Sequence, residues 1–340
     1  GSLAGLALGA AVLVEHPALV PAVLVAIGVA ADREARRRLP ALALGAAVCA
    51  AALLAWNAVN FGHPLAMSYG FKHDATFAAF HAQGVYGVAW PSWERVWGLI
   101  VGARRGLLFL APWLVVGIAG AAAAAFDRGL TTGWRFALAS IGLGFPLLMA
   151  GFVDWTAGAS MGSRHLVAGL AAPGIAAARL LARIDGTRAG RWLRPATGGA
   201  VLSSVAFCAV GAWVFPYFDS RVANPLFEVS LPVLLEGGFA PMLWNTWLPG
   251  AWGAVPAMLA IVATLAAGGT RRPDPKRAQA GAIVLAMVIA HVGLGSLPRS
   301  QDARELRAVL ATRATAFEMI GRDDLAASRR EALDRVPRGF

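Results

Sequence analysis

Charged residues are scarce in this sequence. Only 14% of its 340 residues are charged, while 58% are hydrophobic, and a soluble domain usually carries about 25% charged residues. The apolar stretches extend along the whole chain, which is longer than the roughly 250–300 residues at which a single soluble core stops growing. The composition therefore argues against an ordinary soluble domain and predicts a protein embedded in a lipid bilayer.

The sequence also has only two cysteines and no nucleotide-binding motif. Cys49 and Cys208 both lie inside apolar runs, so they predict neither a disulfide framework nor a metal site. The chain has no P-loop, no dinucleotide fingerprint and no His-x-x-x-His pattern, so soluble nucleotide chemistry is not supported. The net charge of +11 would suit a nucleic-acid-binding protein. Its arginines, however, cluster in short connectors between apolar runs, as in membrane proteins, and we expect no nucleic-acid partner.

The apolar runs predict about eight membrane crossings. A helix needs about 20 predominantly apolar residues to cross the hydrocarbon core. Seven runs meet this length: 40–60, 106–126, 135–152, 166–184, 196–216, 250–269 and 278–296. An eighth stretch, 3–30, is interrupted by Glu15-His16-Pro17, and proline kinks or ends a helix. That stretch is either one broken span or a short hairpin. The predicted fold class is all-α, a polytopic transmembrane helical bundle over residues 1–297 with long extracytoplasmic loops.

The connectors between these runs alternate in character. One set is short and dense in arginine, which predicts a cytoplasmic location. It contains Arg33, Arg36, Arg37 and Arg38, then Arg128 and Arg135, then Arg188, Arg191 and Arg194, then Arg271, Arg272, Lys276 and Arg277. The other set comprises 61–105, 153–165 and 217–249, together with the tail. These three loops are rich in aromatic residues and proline, and we expect them outside the cytoplasm, with their aromatics at the membrane interface.

The tail, residues 298–340, changes abruptly in composition. It is charged, and its alanines and leucines recur at helical spacing. Residues 316–337, with a turn at Gly321-Arg322, resemble one tetratricopeptide-type helix pair. A single such pair cannot bury its own apolar face. We therefore expect a short extracytoplasmic helical appendage.

Glu15-His16-Pro17 is the clearest polar interruption at membrane depth. Polar residues there are costly and are functional candidates for that reason. In one interpretation the broken helix exposes the carboxylate of Glu15 and the imidazole of His16 to a polar cavity. In the other, the break is a surface turn between two short helices.

The loop 153–165 is the most informative segment. Its small residues, among them Ser163, allow close approach of the backbone to a ligand. It ends in Arg164-His165 at the start of the next apolar run. Arginine presents a planar fork of donors to phosphate oxygens, and a helix N-terminus adds partial positive charge. These features predict a phosphate site at the bilayer surface. The alternative is a snorkelling interfacial arginine beside an ordinary loop.

The loop 61–105 is long for a connector between helices, and long loops tend to be functional. Its polar and aromatic candidates include His63 and Tyr69. His73-Asp74 could form an acid/base pair or be merely solvated. Arg104-Arg105, just before the next apolar run, could bind a second anionic group or lipid headgroups.

The segment Asp154 to Leu166 resembles a motif of bacterial GT-C type glycosyltransferases, Trp-x-Gly-Gly-x-x-x-Gly-Pro-Arg-Tyr/His-Leu. Ala157 stands in place of the first glycine and Ser163 in place of the proline. Three further segments are similar to parts of such proteins: Asn60 through Tyr69, Gly106 through Trp113, and the helix break at Glu15-His16-Pro17, where tyrosine is commoner than His16.

The resemblance implies a multi-pass enzyme of the bacterial inner membrane with its working face outside the cytoplasm. Such an enzyme transfers a sugar from a polyprenyl-phosphate donor to an extracytoplasmic glycan or protein acceptor, in contact with membrane lipid. Arg164 and His165 would hold the donor phosphate, and Asp154 and Trp155 would shape the acceptor side. No particular cofactor is predicted, and a divalent metal is compatible with such chemistry, although no residue is assigned to one.

The catalytic carboxylate of that family follows its first membrane helix. No acidic pair follows an opening helix here, and the chain begins Gly1-Ser2 without an initiator methionine. We therefore expect the N-terminal part of the enzyme to precede this chain. Within the chain, the candidate carboxylates are Asp154, Asp74 and Glu15. The substrate-binding candidates are Arg164, His165, Ser163, Trp155, Tyr69, His63, Arg104, Arg105 and His16.

Two other functions remain open from the sequence. A transporter or lipid flippase places polar sites on discontinuous helices, often in two repeated halves, and Glu15-His16-Pro17 fits the first feature but has no second copy. A non-catalytic membrane scaffold related to the glycosyltransferases would explain the departures at Ala157 and Ser163.

Overall fold

A computed structural model describes residues 1–66, 84, 87–158, 161–215, 217–237, 275–297 and 299–337, with the backbone alone at 212, 213 and 275–278. These residues form helices and no β-strand; a single isolated bridge joins Val88 to Phe152. The all-α class is thereby confirmed. The described α-helices are α1 Ser2–Val14, α2 Leu19–Ala31, α3 Leu39–Phe61, α4 Trp93–Ile100, α5 Leu107–Leu110, α6 Leu114–Ala125, α7 Thr132–Ala139, α8 Phe145–Ala150, α9 Ala171–Arg183, α10 Arg188–Val214, α11 Leu231–Gly237, α12 Pro275–Gly295, α13 Ala303–Met319 and α14 Asp323–Arg335.

The chain forms two compact units. The first comprises Gly1–Ile100, Leu114–Ala157 and Ser163–Asp185, and the second comprises Val101–Trp113, Gly158–Gly162 and Gly186–Phe340. The second unit includes the tail. The boundary predicted between residues 297 and 298 stays a prediction.

Three helices of the described chain are long and apolar enough to cross a membrane: Ala35–Phe61, Thr132–Ala150 and Arg188–Gly211. They indicate a membrane protein. Shorter apolar helices occupy Ser2–Val14, His16–Ala31, Leu114–Ala125 and Gln279–Gly295. The run 166–184 forms a 3-10 helix, Arg164–Gly169, followed by the 13-residue α9. The run 250–269 lies outside the described residues. The finer expectation of about eight crossings stays a prediction.

In the first unit, α1 and α3 pack closely and run parallel. A Cβ built on Gly5 would lie 1.9 Å from the carbonyl oxygen of Leu42, and one built on Gly9 would lie 2.7 Å from the Cβ of Cys49. Only glycine permits this approach of the backbones. Because α2 joins the end of α1 to the start of α3 through a short connector, it must run in the opposite direction. The opening stretch is thus a hairpin of two short helices rather than one broken span.

The remaining helices of the first unit also meet through small residues. α6 packs on α9, where a Cβ on Gly117 would lie 2.9 Å from the Cβ of Pro173 and a Cβ on Gly120 would lie 2.4 Å from the carbonyl oxygen of Ala176. Helices α7 and α8 are joined by a π-helical turn, Ser140–Gly144, into one continuous helix. Here α2 contacts α7, since a Cβ on Gly133 would lie 2.0 Å from the carbonyl oxygen of Gly28.

In the second unit, the tail helices α13 and α14 bury their apolar face against residues 214–233. Their shared core contains Val214, Phe218, Val222, Val229, Val233, Val309 and Phe317. The predicted turn is present, with Gly321 in the left-handed region at φ 73°. The helix pair therefore buries its apolar face against other residues of the same unit, which a single pair cannot do alone.

Candidate functional site

The turn after α1 places Glu15 at the start of a helix break. Its backbone is extended, with φ −148° and ψ 112°, and its N–H donates to the Ala11 carbonyl at 3.0 Å. A 3-10 turn, His16–Ala18, follows before α2 begins. Pro17 enforces this geometry because its ring fixes φ and removes a backbone donor. The Glu15 side chain consequently leaves the hairpin at its tip rather than along a helix face.

The end of the loop 153–165 gives the adjacent residues Arg164 and His165 different degrees of exposure. Gly162 has φ 74°, and Ser163 precedes the 3-10 helix Arg164–Gly169. This local geometry leaves 60% of the Arg164 side chain exposed, whereas only 4% of the His165 side chain is exposed. The two adjacent residues therefore meet different environments.

The hairpin tip and this 3-10 helix meet through Glu15. Its Oε1 lies 2.7 Å from Nδ1 of His165 and 3.9 Å from Nε of Arg164. The ring of Phe152 stands edge-on to the imidazole with 5.4 Å between ring centroids. Glu15 and the pair Arg164-His165, which were predicted separately and lie about 150 positions apart, thus form one cluster. We call Glu15, Arg164 and His165 the Glu–Arg–His cluster.

The other imidazole nitrogen of His165 is buried and has no partner within the described part of the chain. An ionised carboxylate only accepts hydrogen bonds, so against an ionised Glu15 the Nδ1 atom of His165 is the donor of the pair. Nε2 of His165 and Oγ of Ser163 are both buried and make no hydrogen bond to any residue that the structure describes. An unsatisfied buried polar group costs about 1–3 kcal/mol, and such groups in native structures call for an explanation such as catalysis or a ligand.

Asp154 and Trp155 have structural neighbours within the same unit. Asp154 Oδ1 accepts a hydrogen bond from Thr156 Oγ1 at 3.1 Å. The indole of Trp155 packs on α4, where a Cβ on Gly98 would lie 2.6 Å from Cη2 of the ring. Ala157 is fully buried and has φ 59°, a left-handed conformation that favours glycine. The glycine of the resembled motif stands at this position.

His16 borders an apolar groove beside the hairpin tip. The groove measures about 320 Å³ and is lined by Leu13, His16, Ala52, Leu53, Trp56, Asn57, Phe61 and Ala66. Nδ2 of Asn57 donates to the Pro64 carbonyl at 3.1 Å, and the exposed His63 accepts the Leu65 N–H on Nδ1 at 3.2 Å. His16 therefore faces an apolar surface, while His63 holds a turn at the end of α3.

Arg104 and Arg105 belong to the second unit. Arg104 donates to the carbonyls of Arg221 and Val222 and to Glu305 at 3.0–3.3 Å. Arg105 is fully buried and donates to the carbonyls of Arg104 and Gly158. Arg104 thus ties the loop after α10 to the tail helix α13. Tyr69, His73 and Asp74 lie outside the described residues.

Two buried polar centres were not singled out from the sequence. Asp127 binds Arg179 and Arg183 at the arginine-dense end of the first unit. Glu228 in the second unit accepts hydrogen bonds from the backbone of Asn224 and from the N–H and Oγ of Ser300, at 2.7–2.9 Å. Both are acidic residues next to an apolar run, and this pattern could have identified them in the sequence. A carboxylate that is buried with such a run needs a polar or charged partner.

Among the residues that the structure describes, no three His, Cys, Asp or Glu side chains come together as a set that could hold a metal ion. Comparisons with protein-family models, with curated proteins and with solved structures find no match to this chain.

Proposed function

We propose that this chain is a polytopic glycosyltransferase of the bacterial inner membrane, with about eight crossings. It transfers a sugar from a polyprenyl-phosphate donor to an extracytoplasmic glycan or protein acceptor. The observation that carries the proposal is the Glu–Arg–His cluster, in which Glu15 Oε1 contacts His165 Nδ1 at 2.7 Å beside the exposed Arg164. The cluster unites the helix break and the loop motif that separately resemble the GT-C type enzymes.

The chemistry of sugar transfer matches this arrangement. The acceptor oxygen attacks C1 of the sugar, the bond from C1 to the phosphate oxygen breaks, and the polyprenyl phosphate leaves with the electron pair. A positioned cation stabilises that developing charge. The exposed guanidinium of Arg164 offers a planar fork suited to phosphate.

The surroundings of the cluster suit a lipid-linked donor. The apolar groove lined by Leu13, Leu53 and Trp56 lies beside the turn that carries Glu15, and an isoprenoid chain is the apolar part of the proposed substrate. Arg33, Arg36 and Arg37 mark the opposite end of the hairpin, so the cluster lies at the end that the positive-inside rule assigns to the extracytoplasmic face.

The test is binding of polyprenyl phosphate to the purified protein in lipid nanodiscs, followed by native mass spectrometry. We expect Arg164→Ala to weaken binding by about 10–100-fold, since a hydrogen bond to a charged group contributes about 1.5–3 kcal/mol. Arg37→Ala, which removes an exposed arginine at the other end of α2, is the matched control. Equal affinity in the wild type and Arg164→Ala would contradict the phosphate assignment.

A lipid flippase is the second candidate, favoured by the discontinuous α1–α2 hairpin with Glu15 at its tip. A flippase moves its lipid without breaking the bond from C1 to phosphate. Incubation with a radiolabelled polyprenyl-phosphoryl sugar and an acceptor glycan separates the two functions. Release of free polyprenyl phosphate supports the transferase, and translocation of the intact donor supports the flippase.

A further inference from the structure

We propose that His165 is the base that accepts the proton of the acceptor hydroxyl, and that Glu15 is the residue that positions it. This inference rests on the proposed sugar transfer and replaces the phosphate-holding role that the resemblance implies for His165. Its basis is the juxtaposition of a buried imidazole, a carboxylate on one ring nitrogen, and a second nitrogen that has no partner among the described residues.

The Glu15 carboxylate selects the tautomer of His165. Nδ1 lies 2.7 Å from Oε1 of Glu15, and the carboxylate requires a donor there. In the neutral ring the proton is then on Nδ1, and Nε2 is left with its lone pair. A carboxylate that orients an imidazole in this way also stabilises the imidazolium that forms when the base takes up a proton.

A phosphate-binding imidazolium is the competing role, and the burial of the ring argues against it. A charged resting ring would place a second N–H on Nε2, which is buried and has no acceptor among the residues that the structure describes. Buried N–H groups without an acceptor are rare, and an unpaired buried charge is costly. Arg164 has 60% of its side chain exposed and always carries its charge, so it is the better phosphate ligand.

As the acceptor oxygen forms its bond to C1, its proton moves to Nε2 of His165, and the polyprenyl phosphate departs with the electrons of the broken bond. Water then takes the proton from the imidazolium, which restores the neutral ring. His165 begins and ends the cycle in the tautomer that Glu15 selects.

The resting tautomer is measured independently of activity. The chain has six histidines, so selective ¹⁵N-histidine labelling gives few signals, and the difference spectrum against His165→Gln isolates those of His165. We expect a protonated Nδ1 and an unprotonated Nε2 at neutral pH, and a weaker tautomer preference in Glu15→Gln. Protonation of both nitrogens in the resting protein would overturn the proposal.

Turnover of a polyprenyl-phosphoryl sugar in nanodiscs tests the catalytic role. We expect His165→Gln to lower kcat by about 100-fold or more, the usual contribution of a positioned base, with little change in KM for the donor. Arg164→Ala should also raise KM for the donor, which His165→Gln should not, so the two neighbours are distinguished.

Glu15→Gln should lower kcat by a smaller factor, because the amide keeps a hydrogen-bonding group but lacks the charge that selects the tautomer. Glu34→Gln, an exposed carboxylate at the other end of α2, is the control and should retain wild-type kcat. If the wild type transfers sugar and His165→Gln does so within about threefold of the same rate, the base assignment is wrong and the transferase stands. If the wild type transfers no sugar from any polyprenyl-phosphate donor, the transferase itself is wrong.

Discussion

Glu15 and Asp127 are two acidic side chains at opposite ends of the first unit, and they differ in what surrounds them. Asp127 is buried and has two arginine partners, Arg179 and Arg183, together with the N–H of Gly129 at 2.8 Å. Its hydrogen-bonding capacity is met by the protein, which is typical of a structural ion pair. Glu15 contacts a histidine whose far nitrogen has no partner in the described structure, which is the arrangement expected of a reactive group.

Asp127→Asn should destabilise the first unit in a pH-dependent way. The hydrogen bond from Arg179 holds the pKa of the Asp127 carboxyl below its ordinary value of 3.8. A carboxyl whose pKa is lower in the folded than in the unfolded state stabilises the fold above its unfolded pKa, and this contribution is lost as the pH falls through the folded value. We therefore expect a lower melting temperature than the wild type at pH 6, and a difference that shrinks below about pH 4.

Thermal unfolding in detergent over this pH range checks the Asp127 prediction. Asp334→Asn, an exposed aspartate near the end of α14, is the control and should leave the melting temperature nearly unchanged at every pH. A constant difference between Asp127→Asn and the wild type down to pH 2 would contradict the role of the ionised carboxylate.

The opening helices and the tail helices differ in their length and in what they bury. Helices α1 and α2 have 13 residues each, about 20 Å at 1.5 Å per residue, which is shorter than the roughly 30 Å hydrocarbon core. Their hairpin brings Glu15 to a tip instead of burying it in the middle of a span. The tail helices α13 and α14 are polar on one side and complete the core of the second unit with Val309 and Phe317.

Phe317→Ala should destabilise the second unit strongly. The Phe317 side chain is fully buried, and Arg329 lies over its ring at 5.9 Å. Truncation of a buried phenylalanine typically costs about 3–5 kcal/mol. The neighbouring Met319 is 52% exposed, so Met319→Ala on the same helix is the matched control. Chemical denaturation of the two variants in detergent measures the difference, and equal stability would show that the tail does not share the core of its unit.

Across the whole molecule, the sign of charge in the connectors is the main organising feature. The first unit keeps its arginine-dense connectors at one end, where a Cβ built on Gly133 would lie 3.3 Å from the Cβ of Asp32 and Asp127 binds the arginines of α9. Tryptophans are exposed at the start of α4, at Trp90 and Trp93. Tryptophan is enriched at membrane interfaces, so the two classes of connector suit opposite faces of a bilayer.

Labelling of single cysteines tests this polarity and the number of crossings. In a background of Cys49→Ala and Cys208→Ala, a cysteine replaces Trp90 or Arg221 on the proposed outer face, and Arg37 or Arg128 on the proposed inner face. An impermeant maleimide should label the first pair in intact spheroplasts and the second pair only after permeabilisation. Equal labelling of the two pairs in intact spheroplasts would contradict the proposed topology.

The residues of the candidate site were identifiable from the sequence because each carries a local signal. Glu15 interrupts an apolar run next to Pro17, and Arg164-His165 ends a loop of small residues. Their mutual contact was not identifiable, since it joins segments about 150 residues apart and depends on how α1, α2 and the 3-10 helix pack. The different exposure of Arg164 and His165 was likewise hidden, because it depends on the side of the 3-10 helix that faces the unit.

The sequence by itself determined the helical class, the membrane character and the alternation of the connectors, because these depend on sums of local hydrophobicity and charge. The tertiary structure decided that the opening stretch is a hairpin, since only the parallel contact of Gly5 with α3 fixes the direction of α2. It also decided that the tail completes a core and that Glu15 meets His165. Such pairings depend on the close fit of backbones at small residues, which is a property of two surfaces together and not of either segment alone.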